Sequence, residues 1–256
     1  MLKIALSGCC GRMGHVINDI VSGREGMEIV AGFDINTVQY ADFPIFADPF
    51  EFTGECDVII DFSNAASTER LLDYCEQHGT PVVICTTGHS AAQLDRIRAA
   101  SAKIAVFRSG NMSLGINLMS ELLKKSASVL GDKYDVEIIE KHHHNKLDAP
   151  SGTALMIADA INTEANGKYE YVYDRTQVRQ KRGAQELGIS SIRGGGIVGE
   201  HDVLFCGPDE VVTLSHSAGS RGVFADGAVQ AALYIAALAP GYYTMTDLLR
   251  GKLICE

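Results

Sequence analysis

A short basic stretch near the middle of the chain holds the residue types best suited to proton transfer. Five such side chains fall within six positions: Lys141, His142, His143, His144 and Lys146. Histidine gains and loses a proton near neutral pH and can act as a catalytic acid, while a lysine ammonium pairs with carboxylates. The chain as a whole is acidic, with a formal net charge of −10. A concentrated cationic pocket in an acidic protein predicts a small anionic substrate, and a carboxylate is the anion we expect.

The elements on either side would place this stretch between a strand and a helix. The alternating, β-branched segment 135–140 predicts a strand. Asp148, Pro150 and Ser151 are start signals for a helix that continues through 153–161. The free N–H groups and the dipole of a helix N-terminus attract anions, which strengthens the prediction of a carboxylate pocket.

The histidines could also have a role that is not catalytic. An expression tag is disfavoured because the run is internal and follows a predicted strand. Zinc binding is disfavoured because neighbouring side chains of an extended segment point in opposite directions, and no cysteine or further histidine has finger-like spacing. We therefore predict no metal. A basic turn that is merely solvated remains an alternative.

The composition limits the class of protein. The chain has 256 residues, 46% hydrophobic and 21% charged, which is typical of a globular protein with one large or two modest domains. Its acidic balance argues against a nucleic-acid partner. The most apolar late stretch, 228–240, is too short to span a membrane, and the N-terminus predicts a strand and not a signal peptide. Seven cysteines without a CxxC pair predict reduced thiols in a cytoplasmic protein.

A glycine-rich turn follows the first predicted strand and opens a helix. Strand 2–7 leads into Gly8-Cys-Cys-Gly-Arg-Met-Gly14, and 15–21 has helical spacing. In dinucleotide-binding folds such glycines let a pyrophosphate approach the helix N-terminus. Asp34 directly follows the second predicted strand, 28–33. Dinucleotide-binding folds carry a carboxylate for the adenosine ribose at this position. Glycines used for packing alone, and Asp34 as a turn residue, are the alternatives.

Apolar runs then alternate with predicted helices through the first half of the chain. The runs 57–62, 81–86 and 102–107 are typical of parallel strands buried on both faces, and helices are predicted at 65–78 and 90–101. This alternation predicts an α/β, doubly wound sheet of the Rossmann type. Its ligand crevice lies at the carboxyl ends of the strands.

The second half predicts an α+β domain with a mixed or antiparallel sheet. An amphipathic helix at 113–130 ends at Gly131 and leads into it. Its later β-rich segments are 168–172, 187–193, 201–206 and 210–216. Arg193 and Arg221 each stand in a glycine-rich turn, where they could reach an anion or be ordinary solvated residues.

The chain is predicted to return to its first domain at the end. The helix predicted at 223–238 has a face of small residues, which we expect to pack on that domain. The dinucleotide-binding domain is therefore predicted at 1–113, completed by 222–256. The substrate-binding and oligomerisation domain is predicted at 114–221.

Several motifs together resemble those of the dihydrodipicolinate reductase family, and the resemblance covers essentially the whole chain. They are Gly8–Gly14, Thr86-Thr-Gly88, the stretch Glu140–Ala154 and Gly199-Glu-His201. The string Glu-x-His-His-x-x-Lys-x-Asp-x-Pro-Ser-Gly-Thr is highly specific, whereas the glycine loop is not. The resemblance implies NAD(P)H-dependent reduction of 4-hydroxy-tetrahydrodipicolinate to tetrahydrodipicolinate in lysine and diaminopimelate synthesis. It also implies a homotetramer formed through the sheet of the second domain.

The resemblance also implies a role for individual residues. His142 corresponds to the catalytic acid, His143 to a substrate contact, and Lys146 to the lysine four residues after the first histidine. From its chemistry, Lys146 can pair with a substrate carboxylate and could assist as an acid. Gly152 and Thr153 correspond to the pair that binds a substrate carboxylate. Cofactor contacts are implied at Gly8, Cys9, Cys10, Gly11, Arg12, Met13, Asp34, Cys85, Thr86, Thr87, Ser109, Gly110, Asn111 and Met112. Many relatives have glycine in place of Cys85.

Asp34 predicts that NADH is preferred over NADPH. Its carboxylate can accept hydrogen bonds from both ribose hydroxyls, and it repels a 2′-phosphate unless a cation offsets it. Relatives that use NADPH well often carry a basic residue directly after this acid, but Ile35 and Asn36 follow here. Arg12 could reach across from the glycine loop, so NADPH stays the weaker alternative.

Two further functions are compatible with the same pattern. One is another two-domain NAD-dependent dehydrogenase, acting on an amino acid or a sugar acid. The other is a non-catalytic module that senses NAD(H). The histidine stretch argues against the sensor, because sensing requires no acid beside the nicotinamide.

Overall fold

The computed structural model describes residues 1–253 and divides the chain into two compact units. The first comprises Met1–Leu114 and the chain from Arg221 onward, and the second comprises Gly115–Ser220. Residues 254–256, which end the predicted completion of the first domain, lie outside the described residues. No helix in the described part is both long and apolar enough to cross a membrane.

Strands and helices alternate through most of the first unit, whereas strands predominate in the second. The strands are β1 (Leu2–Ser7), β2 (Met27–Phe33), β3 (Ile45–Phe46), β4 (Val58–Asp61), β5 (Val82–Ile84), β6 (Ala105–Arg108), β7 (Asp135–His142), β8 (Glu170–Val172), β9 (Glu186–Arg193), β10 (Gly199–Cys206), β11 (Val211–Ala218) and β12 (Gly241–Tyr243). The α-helices are α1 (Arg12–Ser22), α2 (Thr68–His78), α3 (Ala91–Ala100), α4 (Leu114–Leu130), α5 (Gly152–Glu164), α6 (Gly222–Ile235) and α7 (Met245–Leu253). Short 3-10 turns lie at Pro49–Glu51, Ala65–Ser67 and Gly131–Lys133.

The first unit is built on a parallel sheet in the order β12-β6-β5-β4-β1-β2-β3. Because β1 lies between β2 and β4, the strand order reverses there and leaves a crevice at its carboxyl end. The α/β fold with a Rossmann-type sheet is therefore confirmed.

Helices cover both faces of this sheet. On one face, Ile17 of α1 and Ala228 of α6 belong to the same buried cluster as Ile4 of β1. On the other, Leu72 of α2 and Ile97 of α3 pack with strand residues. The small residues of α6 allow close approach, and this helix packs within the first unit.

The second unit has a mixed sheet in the order β11-β10-β7-β9-β8. The central strand β7 runs antiparallel to β10 and parallel to β9. Met119 and Leu123 of α4 and Ile157 of α5 form its core with Ile138 and other strand residues. The predicted mixed sheet is confirmed.

Strand β7 is longer than the predicted strand 135–140, and this changes the setting of the histidines. His142 is the last residue of the strand and not part of a turn, opposite Arg193 of β9. Glu140 and His142 therefore lie on the same face, two residues apart. The strands β3 and β12 were not predicted, because two or three residues show no readable periodicity, and the helix α7 was not predicted either.

Candidate functional site

The buried carboxylate of Glu140 is the centre of a hydrogen-bonded network in the second unit. Its side chain is fully buried, and Oε2 lies 2.6 Å from Nδ1 of His142. Arg193 donates from Nη1 to Oε2 at 2.8 Å and from Nη2 to Oε1 at 2.7 Å. The backbone N–H of Ser151 donates to Oε1 at 3.1 Å. A charged group without solvent requires partners of this kind, and Glu140 has them on both oxygens.

This network sets the protonation of the Glu140–His142 pair. Burial alone would raise the pKa of Glu140, but hydrogen bonds from Arg193 and His142 outweigh it and lower the pKa to about 2. Glu140 is thus an anion that accepts the Nδ1 proton of His142, which leaves Nε2 as the nitrogen for proton exchange. Burial lowers the pKa of His142, and the positive charges of Lys146 and Arg193 lower it further. The carboxylate of Glu140 acts in the opposite direction and raises it.

A second buried histidine adjoins His142. The ring of His201, on β10, lies 5.3 Å from that of His142 between centroids, at 76°. Its Nε2 is 3.0 Å from Oγ of Ser151, which accepts the backbone N–H of Ala154 at 3.1 Å and so caps α5. Burial lowers the pKa of His201 to about 4. His201 is therefore neutral near pH 7, and its Nε2 shares a hydrogen bond with the Ser151 hydroxyl.

The other predicted substrate residues surround the loop from β7 to α5. His143 donates its backbone N–H to Ile197 at 2.8 Å, and within the described residues its buried Nδ1 has no hydrogen-bond partner. The ammonium of Lys146 lies 3.0 Å from the carboxylate of Asp148. Gly152 and Thr153 are the first residues of α5. One loop thus carries an imidazole, an ammonium and a helix N-terminus, which suits a dianionic ligand.

Lys141 does not belong to the predicted cationic pocket. Its ammonium lies 3.1 Å from Glu200 and 3.0 Å from Asp202, both on β10. Successive side chains of a strand point to opposite faces, so Lys141 faces away from Glu140 and His142. Of the five basic residues of the stretch, Lys141 therefore lies outside the pocket, and His142 is buried at the end of β7 and is not displayed on a turn.

In the first unit, a cavity of about 320 Å³ opens at the carboxyl ends of β1, β2 and β4. Among the predicted cofactor residues, Gly8, Gly11 and Asp34 line it. The loops after β5 and β6 follow strands of the same parallel sheet, so they emerge at the same edge. They carry the remaining predicted cofactor residues outside the glycine turn: Cys85, Thr86, Thr87, Ser109, Gly110, Asn111 and Met112.

Packing requires two glycines of the turn. Gly8 has a φ of +76°, and a Cβ there would lie 2.5 Å from the carbonyl oxygen of Phe62. A Cβ on Gly14 would lie 2.2 Å from the carbonyl oxygen of Cys9. The turn therefore needs glycine for its own backbone at both positions, while Gly8 and Gly11 also form the cavity wall.

The carboxylate of Asp34 is fixed on that wall. Its Oδ2 accepts the backbone N–H of Cys10 and its Oδ1 that of Asn36, each at 3.0 Å. The side chains of Cys9, Cys10 and Asp34 offer ligand atoms within 4.8 Å of one another, a spacing that could hold a metal. Burial, however, raises the pKa of the Cys9 thiol to about 12, which opposes the thiolate that a metal needs.

Some residues of these two regions were missed by sequence reasoning. One of them is the buried Asp61, whose carboxylate accepts a hydrogen bond from the hydroxyl of Thr86, a predicted cofactor residue, at 2.7 Å. Asp48 and Arg70 line the same cavity as Asp34 but stand far from it in sequence. The sequence did carry a signal for Glu140, because an acid two positions before a histidine on a strand must share its face.

Comparisons with known proteins match both halves of the chain. A family described as dihydrodipicolinate reductase, N-terminus, matches residues 2–112, and one described as dihydrodipicolinate reductase, C-terminus, matches residues 115–249. A 4-hydroxy-tetrahydrodipicolinate reductase of Caldanaerobacter subterraneus subsp. tengcongensis is 49% identical over 98% of this chain and 99% of the relative. Another 4-hydroxy-tetrahydrodipicolinate reductase, of Clostridium botulinum, is 47% identical over 97% of this chain and 98% of the relative.

The fold of this chain is also similar to a solved structure. It is a dipicolinate-bound dihydrodipicolinate reductase from Paenisporosarcina sp. TG-14, with a TM-score of 0.76 and 25% identity. The alignment covers 95% of this chain and 97% of that protein. The likeness therefore extends across both units.

Proposed function

We propose that this chain, which belongs to the dihydrodipicolinate reductase family, reduces 4-hydroxy-tetrahydrodipicolinate to tetrahydrodipicolinate with a nicotinamide cofactor. This oxidoreductase reaction serves lysine and diaminopimelate biosynthesis. The observation that carries the proposal is the placement of His142, held by a buried carboxylate beside the N-terminus of α5, in a chain that matches both halves of the family. A sensor of NAD(H) would not require such an arrangement.

The reaction adds a hydride and a proton and removes water from a dicarboxylate. The cofactor supplies the hydride, so the second unit has to supply the proton and neutralise two carboxylates. His142 delivers the proton from Nε2 while Glu140 holds Nδ1. Burial lowers the pKa of His142 and disfavours its protonation, whereas the negative charge of a dianion bound beside it favours the imidazolium.

The remaining substrate roles follow from the position of each group. Lys146 exchanges Asp148 for a substrate carboxylate, and the N–H groups at Gly152 and Thr153 bind the other carboxylate. His143 contributes a further polar contact through its ring. The dipicolinate bound to the similar Paenisporosarcina enzyme supports a small dicarboxylate as the ligand.

Family members use NAD(P)H, and we place the dinucleotide at the carboxyl edge of the first sheet. The glycine turn, Asp34 and the loops after β5 and β6 hold it, with contacts from Gly8–Met13, Cys85–Thr87 and Ser109–Met112. The fixed carboxylate of Asp34 favours NADH over NADPH, because it accepts from ribose hydroxyls and repels a 2′-phosphate.

The enzyme works as a homotetramer in the cytoplasm in this proposal. Six free cysteines among the described residues, in no disulfide, support a reducing compartment. The assembly would use the sheet of the second unit.

Steady-state consumption of NADH with freshly generated 4-hydroxy-tetrahydrodipicolinate tests the function. Substrate-dependent oxidation that requires His142 supports it. Turnover of an amino acid or a sugar acid in its place would identify another two-domain dehydrogenase. Tight NADH binding without turnover of any of these would indicate a sensing module.

A further inference from the structure

An ion pair, Asp48–Arg70, stands on the wall of the cofactor cavity in the first unit. Asp48 follows β3 and Arg70 lies in the first turn of α2, and both line the cavity together with Asp34. Nε of Arg70 lies 3.0 and 3.2 Å from the two carboxylate oxygens of Asp48, and Nη2 lies 2.7 Å from one of them. The guanidinium is thus engaged in the bidentate geometry that makes Arg–carboxylate pairs strong.

Further contacts hold this pair in one position. The guanidinium of Arg70 lies over the ring of Phe50, 4.0 Å from its centroid. Oδ1 of Asp48 also accepts the backbone N–H of Phe50 at 3.0 Å, which caps the 3-10 turn Pro49–Glu51. Both partners of the ion pair are therefore anchored to the same short turn.

The charged residues that line the cavity determine whether it can bind the 2′-phosphate of NADPH. Among the described residues that line the cavity, Arg70 is the only basic one, and Asp34 and Asp48 are the acidic ones. A 2′-phosphate bound beside Asp34 needs a cation to offset the carboxylate, but Arg70 is already paired with Asp48. If Arg70 turned to the phosphate, Asp48 would lose its cationic partner, so NADPH would gain one charge contact at the expense of another.

We propose that the Asp48–Arg70 pair is a second determinant of cofactor choice, which withholds Arg70 from the 2′-phosphate of NADPH. The inference rests on the proposed function, since it deepens the assignment of this cavity to the adenosine end of the dinucleotide. It also changes the sequence-based view, in which only residues directly after Asp34, or Arg12, could supply the cation.

The substitution Asp48→Asn tests the pair, because asparagine keeps the capping oxygen and loses the charge. Dissociation constants for NADH and NADPH are measured by direct titration of the full chain at fixed ionic strength. NADPH should bind about three- to tenfold tighter, a modest gain because solvent screens this half-exposed pair, while NADH should change by less than about twofold. Asp48→Ser is the second variant if the first folds poorly.

Two controls separate the pair from a general charge effect. Asp73→Asn removes a charge from the same helix, where Asp73 pairs with Arg96 at 2.9 Å outside the cavity, and should alter neither constant. Asp48→Asn combined with Arg70→Ala should abolish the gain for NADPH. Competition by 2′,5′-ADP, but not by 5′-AMP, should strengthen in Asp48→Asn alone.

The outcomes are distinguishable from those for the proposed function. Equal changes for the two cofactors, or an unchanged NADPH constant in Asp48→Asn, would overturn the role of the pair while leaving the reductase intact. Binding of neither cofactor to the unaltered chain would overturn the assignment of the cavity and, with it, the proposed reaction.

Discussion

At the scale of single residues, the proposed chemistry depends on what surrounds His142. An isolated imidazole could exchange protons at either nitrogen, but the Glu140 carboxylate at 2.6 Å from Nδ1 reserves Nε2 for this purpose. Arg193 in turn keeps Glu140 ionised. Three side chains from two neighbouring strands thus act as one unit, and each can be tested separately.

Replacing His142 by glutamine should lower kcat by about a hundredfold to ten-thousandfold, the range typical of general acids. NADH binding should barely change, because the predicted cofactor residues lie in the other unit. His144→Gln is the matched control, since His144 is exposed and adjoins the same strand. Near-normal turnover in His142→Gln would falsify the assignment of the acid.

Glu140→Gln should reveal a positioning residue through the pH profile. Removing the anion at Nδ1 further lowers the pKa of His142, so activity that requires the imidazolium should shift to lower pH. The loss in kcat should be about 10- to 100-fold, as for other groups that orient a catalytic imidazole or metal ligand. Glu137→Gln, on the same strand but paired with Arg182, is the control. An unshifted profile with reduced folded yield would indicate a structural role alone.

Lys146→Ala should weaken the binding of pyridine-2,6-dicarboxylate by about 10- to 100-fold, the value of a charge-assisted contact of about 1.5–3 kcal/mol. Lys141→Ala offers a control on the strand that leads into this loop, because Lys141 pairs with Glu200 and Asp202 on the opposite face. Calorimetric isotherms give both constants. Equal affinity in the unaltered chain and the Lys146 variant would show that this pocket is the wrong one.

At the scale of elements, the N-terminus of α5 joins the polar network to the proposed carboxylate site. Ser151 caps this helix through Oγ, contacts His201 and donates its N–H to Glu140. The same capping residue therefore fixes the helix that carries Gly152 and Thr153. A substitution of Ser151 should therefore affect both the stability of the protein and the binding of substrate.

Ser151→Ala should destabilise the protein by about 1 kcal/mol through loss of the cap and should also raise the Michaelis constant for the dicarboxylate. Ser90→Ala is the matched control, because Ser90 caps α3 with a full capping box in the other unit. That variant should lose similar stability and keep its Michaelis constant. Thermal melts and saturation curves measure the two effects, and a raised constant in both variants would point to general loosening.

At the scale of the whole molecule, buried titratable groups make the fold sensitive to acid. Glu140 has a folded pKa of about 2 against an ordinary 4.5, and His201 has a folded pKa of about 4 against 6.5. Both are depressed, so the unfolded chain binds more protons and stability falls as the pH falls. The contribution of His201 is complete above about pH 6.5 and is lost toward 4, and that of Glu140 is lost between about 4.5 and 2.

Urea unfolding should therefore give a free energy that declines by a few kcal/mol between pH 7 and 4, since one pKa unit corresponds to about 1.4 kcal/mol. Far-ultraviolet circular dichroism is the suitable probe, because the chain has no tryptophan. His201→Gln should flatten this decline, whereas His144→Gln should not. A free energy that is constant over this range would contradict the linkage.

The sequence by itself determined the plan of the protein. Apolar runs alternating with helical segments specify a parallel sheet because buried strands and amphipathic helices leave local patterns. The glycine turn was also readable, since Gly8 and Gly14 leave no room for a Cβ. The string from Glu140 to Thr153 identified the family, which both halves of the chain match.

Only the tertiary structure decided which side chains are partners. Arg193 reaches Glu140 from 53 residues away, and Arg70 reaches Asp48 from 22 residues away. Strand β7 extends through His142 and turns Lys141 to the opposite face. Such pairings depend on the order and register of strands and on the packing of helices and turns beside them, which form from contacts between distant segments and leave no periodic trace in either segment.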